Sequence, residues 1–430
     1  VSTMHKNLSG VAFPLLGSLT VSGILIFSHN QVLAQVTPDN TLGNESSVVN
    51  TRDTTTDSID GGAIRGQNLF HSFEEFNVDA GRGVYFANPD AVTNIFSRVT
   101  GNDVSNILGT LGVDGAANLF LINPNGIIFG EGASLDVQGS FAATTADGIE
   151  FGEQGFFSAS NPESPKLLTI NPSAYLFNQI APGAIANNSK VPAGKDLSGI
   201  DVFGLRVPNG KSLSLIGGDV SMDGGWAIAN GGHIELGGLT APGSIGIQSN
   251  GNNFSLSFPN GVQLGDISLN NKAIVGVIGE GGGSIAANAQ NLEILAGSEF
   301  YAGIGLGLGT TNAQAGDITI NTRNLIVRDS QLSTIVYGEG NAGDFKIIAS
   351  DSVELSGEIP DKEQGNAEGI LATNPGGILA TIDITGKGKS GNIYLETRNL
   401  SVSDGSKVQV ATFGEGDAGN LFIRANEIDV

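Results

Sequence analysis

The chain has 430 residues, 20 Lys and Arg against 43 Asp and Glu, and a formal net charge of −23. It lacks the clustered bases with which a protein displaces counterions from phosphates, which excludes a generic nucleic-acid binder. With 64 Gly, 40% hydrophobic residues, no Cys and no three-residue period, the composition excludes collagen, helical bundles, disulfides, thiolate metal sites and thiol nucleophiles. It points to short strands joined by tight turns.

Residues 1–34 hold one base, Lys6, and no acid. An apolar run from Val11 to Phe27 is followed by Val32, Leu33 and Ala34. This is the pattern of a secretory signal peptide cleaved after Ala34. The run is too short and too interrupted by Pro14, Gly17 and Gly23 to span a bilayer. No later segment approaches a transmembrane span. The first residue is Val1 rather than Met, so the reading expects a fragment or a start at Met4. An exported chain without Cys must draw its stability from something other than disulfides, and a long solenoid supplies it.

Residues 117–146 carry a turn, Asn123-Pro124-Asn125-Gly126, between the apolar segments Leu119–Ile122 and Ile127–Phe129. The residue choice suits a type I turn: Asn at the first position caps through its side chain, Pro presets φ, and Gly is favoured at the fourth. The flanks read as buried strand. The stretch resembles the secretion domain, or haemagglutination activity domain, of filamentous-haemagglutinin-like exoproteins of two-partner secretion. The family motif Asn-Pro-Asn-Gly-Ile is met in full by Asn123, Pro124, Asn125, Gly126 and Ile127. Phe129-Gly130, Ala133–Val137 and Gly139–Ala146 continue the family pattern, and Val92–Gly101 is similar to it as well. A second family motif, Asn-Pro-Asn-Leu, is met only in part, by Asn88 and Pro89 followed by Asp90 and Ala91. The resemblance covers roughly residues 36–165. It implies export through a dedicated outer-membrane barrel transporter, outward threading of an unfolded chain, and folding at the surface of a Gram-negative-type bacterium. It also implies an adhesin-like role, with a cell-surface carbohydrate or protein as receptor.

The C-terminal half repeats. Asp317–Asp329 aligns with Asn392–Asp404 at an offset of 75, and Gly338–Asp344 with Gly414–Asn420 at an offset of 76. Ser284-Ile285, Asp317-Ile318, Asp344-Phe345, Asn392-Ile393 and Asn420-Leu421 each follow a Gly and open an alternating segment. In the second of these, Ile318, Ile320, Leu325 and Val327 are apolar between polar neighbours, giving each strand one buried face that a lone coil cannot cover. Stacked coils bury it. The expected fold is all-β: a right-handed, single-stranded parallel β-helix with an N-terminal cap. Its expected organisation is a signal peptide over 1–34, the secretion domain over 35–165 and β-helix repeats over 166–430. Residues Glu358–Asn374 read as a loop, and Asn420–Val430 as an open end of a truncated shaft. Because 13 of the 21 Phe lie between Phe70 and Phe203, the first coils should hold the denser core. Contacts in such a stack are expected between neighbouring coils only.

Candidate catalytic groups are sparse. Glu74 with Glu75, and Asp57 with Asp60, are sequence neighbours in loop-like, solvated context rather than carboxylates facing one cleft. After export only His71 and His233 remain, without a nucleophile elbow. The acidic Gly loops at Asp344 and Asp417 lack the nonapeptide pattern of calcium repeats, and two separate His without Cys cannot close a zinc site. Gly279–Gly283 is not a phosphate loop, since no Gly-Lys-Ser/Thr follows, and Trp226 reads as a packed ring. No catalytic residue, cofactor or metal is assigned. The alternatives are a polysaccharide-acting enzyme on the same scaffold, and the carrier stalk of a contact-dependent toxin.

Overall fold

The computed structural model describes residues 36–250, 253–359 and 376–430. The signal-peptide reading, and the loop reading from residue 360 onward, fall outside them.

One column of parallel pairing starts at Asn68–Phe76 and is handed on to Asn94–Val99, Asn118–Ile122, Phe141–Thr144, Ser212–Gly217 and His233–Gly238. From there it passes to Ser284–Leu295, Ile318–Arg328, Phe345–Ser356, Ile393–Ser403 and Leu421–Arg424. A second column, from Ser105–Ile107 through Ile127–Phe129, Ile185–Asn187, Val220–Asp223 and Ile267–Asn270, merges into the far half of Ser284–Leu295. Further parallel stacks form the remaining walls, among them Glu299–Ile304, Gln331–Val336, Gly377–Ile382 and Lys407–Thr412. The molecule is an all-β parallel β-helix. The one helical element among the described residues is a 3₁₀ turn at Gly152–Gln154.

At the N-terminal end the pairing turns antiparallel. Ser47–Thr51 pairs with Thr56–Gly61, Val36–Pro38 with Phe73–Phe76, and Ala63–Arg65 with Asn68–Phe70. These strands cap the first coil, whose open edge would otherwise template association.

The alternation seen in the sequence becomes the helix interior. Ile285, Ile318, Phe345 and Ile393 stand in one register and are essentially inaccessible. Each such side chain contributes roughly 1.5–3 kcal/mol by leaving water. The recurring Gly loops pack by backbone: a Cβ on Gly388 would lie 1.9 Å from the Gly340 carbonyl oxygen, and one on Gly416 1.8 Å from that of Gly388. The three glycines have φ of +140°, +138° and +130°, so conformation and space both demand Gly there.

The N-terminal half has a second layer. An antiparallel sheet of Phe156–Ser158, Gly148–Glu150, Ala174–Phe177, Gly243–Asn250 and Asn253–Ser257 lies against the outer face of the first coils. Beneath it Phe70, Phe96 and Phe120 form a stack with ring centroids 5.2 and 4.7 Å apart, closed by Phe254 at 5.1 Å from Phe120. Strand Asn118–Ile122 is therefore buried at every residue: Leu119 and Leu121 face the helix interior, Phe120 and Ile122 the second layer. This explains its unbroken apolar run. It also corrects the expectation of neighbour-only contacts, which the N-terminal half does not obey.

Candidate functional site

The Asn123–Ile127 corner joins two buried strands, Asn118–Ile122 and Ile127–Phe129. The Gly126 N–H donates to Asn123 O at 3.1 Å, closing the turn, and the Asn125 N–H donates to Asn123 Oδ1 at 3.0 Å, the side-chain cap that the residue order implied. The Asn123 amide then reaches back one coil, donating to Asp103 O at 3.0 Å and Ser105 Oγ at 2.9 Å, while the Asn125 amide donates to Gly101 O at 2.8 Å. The next coil closes over it: the Gly183 N–H donates to Pro124 O at 2.9 Å, and a Cβ on Gly183 would sit 2.3 Å from the Asn125 carbonyl carbon. Asn123, Pro124, Gly126 and Ile127 are buried and Asn125 is half-buried. The motif is thus a clamp between three successive coils rather than a displayed surface.

Asn88 and Pro89 sit one coil away at a different corner. The Asn88 side chain accepts the Ala117 N–H from the following coil at 3.0 Å and donates to Val92 O at 3.0 Å. Pro89, Asp90 and Ala91 are exposed, Ala91 at a φ of +68°. The two motifs are not brought together into one surface by any hydrogen bond among the described residues.

A third feature was not singled out from the sequence. Arg98 is fully buried and donates to Ser72 Oγ, Ser158 O, Thr41 Oγ1 and Glu163 O at 2.8–3.0 Å, with its guanidinium 4.2 Å from the Phe157 ring centroid. Burial pulls its pKa down to about 10, against the pull of the Asp39 charge. Burial also acts to raise the Asp39 carboxyl, but hydrogen bonds from Thr100, Thr41 and Ser72 outweigh it and hold the group below its ordinary value. At the other end of the strand that carries Arg98, Asn94 donates to Asn68 and Asn118 to Asn94, at 3.0 and 2.9 Å, a buried amide ladder. The signal was present as the triplets Asn68-Leu69-Phe70, Asn94-Ile95-Phe96 and Asn118-Leu119-Phe120, a repeat that lies in the N-terminal half.

The other candidate groups have structural surroundings. Glu74, Glu75, Asp57 and Asp60 lie on strands, not loops. Asp57 is buried and paired with Arg82 at 2.8 Å, which corrects its reading as solvated. His71 is inaccessible, 3.0 Å from Ser47 Oγ, and burial drives its pKa down to about 3. His233 lies between Ser284 Oγ at 2.6 Å and Glu235 Oε1 at 2.7 Å, a contact that crosses coils and was not visible in the sequence. The same carboxylate oxygen accepts the Leu256 N–H at 2.9 Å, so the contact fastens strand Asn253–Ser257 to the helix. Trp226 packs edge-on against Phe203, centroids 5.2 Å apart. Asp344 accepts both the backbone and side-chain N–H of Asn392, at 2.8 and 2.9 Å, as a link between coils, while Asp417 is exposed. Among the described residues no three His, Asp or Glu side chains form a metal-binding group.

The sequence model of the TPS secretion domain matches residues 34–287. The chain belongs to the TPS secretion domain family. Over 83 residues, 19% of the chain, it is 39% identical to the heme/hemopexin-binding protein of Haemophilus influenzae, and the match spans 9% of that protein's length. Of solved structures, the HMW1 secretion domain from Haemophilus influenzae aligns at a TM-score of 0.47 and 18% identity, over 92% of this chain and 99% of that one. The filamentous hemagglutinin secretion domain aligns at 0.38 and 11%, with the same coverage of each. Membership places the chain among the exoproteins of two-partner secretion. Among the described residues no helix is long and apolar enough to cross a membrane.

Proposed function

We propose that this chain is a non-enzymatic, adhesin-like surface exoprotein. Residues 1–34 direct it across the inner membrane and are removed, its secretion domain engages a dedicated barrel transporter, and the β-helix that follows displays the adhesive surface to a carbohydrate or protein receptor. The export domain is taken over residues 35–165; the family model matches on to residue 287, and the layer that covers the motif-bearing coils draws strands from as far as Asn253–Ser257. Asn123, Pro124, Asn125, Gly126 and Ile127 are its motif residues, with Asn88 and Pro89 contributing at the neighbouring corner.

The observation that supports this reading is the burial of the motif. Asn123 is wholly inaccessible once folded, so a transporter that reads it must meet the chain before the coils close. Threading of an extended chain supplies that moment. The test is export with and without the co-expressed cognate transporter, for the wild type and for Asn123→Ala, Asn125→Ala and Asn88→Ala. Transporter-dependent release, reduced in the variants, is the expected result. Release without a transporter, or retention in the periplasm with one, refutes the reading.

A further inference from the structure

Residues 158–170 run across the outside of the first coils and tie together parts of the chain far apart in sequence. Ser164 Oγ donates to Leu42 O at 3.1 Å, 122 positions away, and Arg65 Nε to Lys166 O at 3.0 Å, 101 positions away. Both N–H groups of the Asn68 amide go to this segment, to Leu168 O and Ile170 O at 2.8 Å. Two more carbonyls, those of Ser158 and Glu163, receive the Arg98 guanidinium. The rungs beneath are local by comparison: Asn68, Asn94 and Asn118 are 26 and 24 positions apart.

The buried groups fix the order in which these contacts are worth making. Without residues 158–170, Asn68 heads the amide ladder with two unmet donors. Arg98 keeps only Ser72 and Thr41 as hydrogen-bond acceptors. A polar network closed halfway is less stable than one left in water, because each unmet buried group loses its hydration without a partner, and a charge loses more. Ala159 and Leu168, buried in the same cluster as the Phe70–Phe96–Phe120 stack, would also be missing from it. Coil-by-coil growth therefore meets its unfavourable terms first, and its compensation arrives together with the covering segment.

We propose that residues 158–170 are a closing strap, and that the coils from Asn68 to Ile122 fold in one cooperative step when it docks, rather than one coil at a time. The inference rests on the packing alone and not on the export reading. In an exported chain it would hold the N-terminal domain extended until the strap has emerged, keeping the buried motif accessible for longer than stepwise folding would.

The test is refolding of the full chain from urea with pulsed hydrogen exchange. Amides of Asn68–Phe76, Asn94–Val99 and Asn118–Ile122 should gain protection in the same kinetic phase as Ala174–Phe177, which follows the strap. Protection of the first three strands in an earlier phase overturns the proposal. A second measurement uses native-state exchange of Arg98→Met in the full chain, which leaves two strap carbonyls, those of Ser158 and Glu163, without their donor. Exchange should rise at least about tenfold, together, in Asn68–Phe76, Asn94–Val99 and 158–170, with Ile318–Arg328 unchanged. A rise confined to Asn94–Val99 sinks the idea. If the variant does not fold, the wild-type kinetics decide alone, and neither readout depends on a transporter.

Discussion

Replacing Asn123 by Ala separates two meanings of the motif, a word read by the transporter and a clamp that holds the coils. The substitution deletes four hydrogen bonds: two donated to Asp103 O and Ser105 Oγ, and two accepted from the backbone and side chain of Asn125. Ser105 is inaccessible and would be left unpaired at about 1–3 kcal/mol, while the partners nearer solvent recover water and lose about 0.5–1 kcal/mol each. The sum is roughly 2.5–6 kcal/mol. Asn125→Ala removes only the donations to Gly101 O and Asn123 Oδ1 from a half-buried side chain, a loss of roughly 1–2 kcal/mol. The assay is urea unfolding of the refolded chains, followed by backbone circular dichroism and by Trp226, the only tryptophan. The midpoint should fall for both variants and by more for Asn123→Ala. Were Asn123→Ala as stable as the wild type and yet not exported, the clamp argument would be wrong and the motif would act purely as sequence.

Acid should weaken the cap through His71. The ring is neutral when folded because burial lowers its pKa to about 3, whereas the unfolded chain takes up the proton near pH 6.5. The stability is present above pH 6.5 and is lost as pH falls toward 3, at 1.36 kcal/mol per unit, or roughly 2–3 kcal/mol by pH 4.5. Urea midpoints at pH 7 and 4.5 should show this excess loss in the wild type and not in His71→Gln; equal losses refute it. Gly388→Ala should cost more than about 3 kcal/mol, since backbone lies 1.9 Å from the new Cβ. Gly307→Ala, at a φ of +71° with nothing within 4 Å, should cost only about 1 kcal/mol. Thermal unfolding of the pair checks the contrast. Phe120→Ala should lose about 3–5 kcal/mol and raise hydrogen exchange in Gly243–Asn250, the strand of the covering layer next to Phe254.

The rungs were legible because alternation is a local property. The five strand openings at Ile285, Ile318, Phe345, Ile393 and Leu421 fall in one column of the helix, as the Gly-led pattern implied. The turn at Asn123 was legible for the same reason. The second layer was not, because its contacts join Phe120 to Phe254 and Asn68 to Leu168, separations at which no period survives. An unbroken apolar run such as Leu119–Ile122 announces burial on both faces without saying what covers the second. Arg98 shows the same limit. A lone Arg in a strand reads as surface until the strap that buries it is in place, and His233 meets Ser284 only by the stacking of separate coils.

The glycine column also governs where the shaft can change length. Each of Gly340, Gly388 and Gly416 presses on a carbonyl of the coil before it, and Glu339–Asn341, Lys387–Lys389 and Glu415–Asp417 stay in one register without a shift. The corner after the long strands varies in length. Gln331, Gly377 and Lys407 keep one register, although two residues precede Gln331 after Arg328, three precede Lys407 after Ser403, and residues 357–376 precede Gly377 after Ser356. Over these last coils the glycine column keeps one register while the other corner takes insertions. Whole coils, or loops at the permissive corner, are therefore the units by which such a shaft can lengthen or acquire new surface while its interior stays in register.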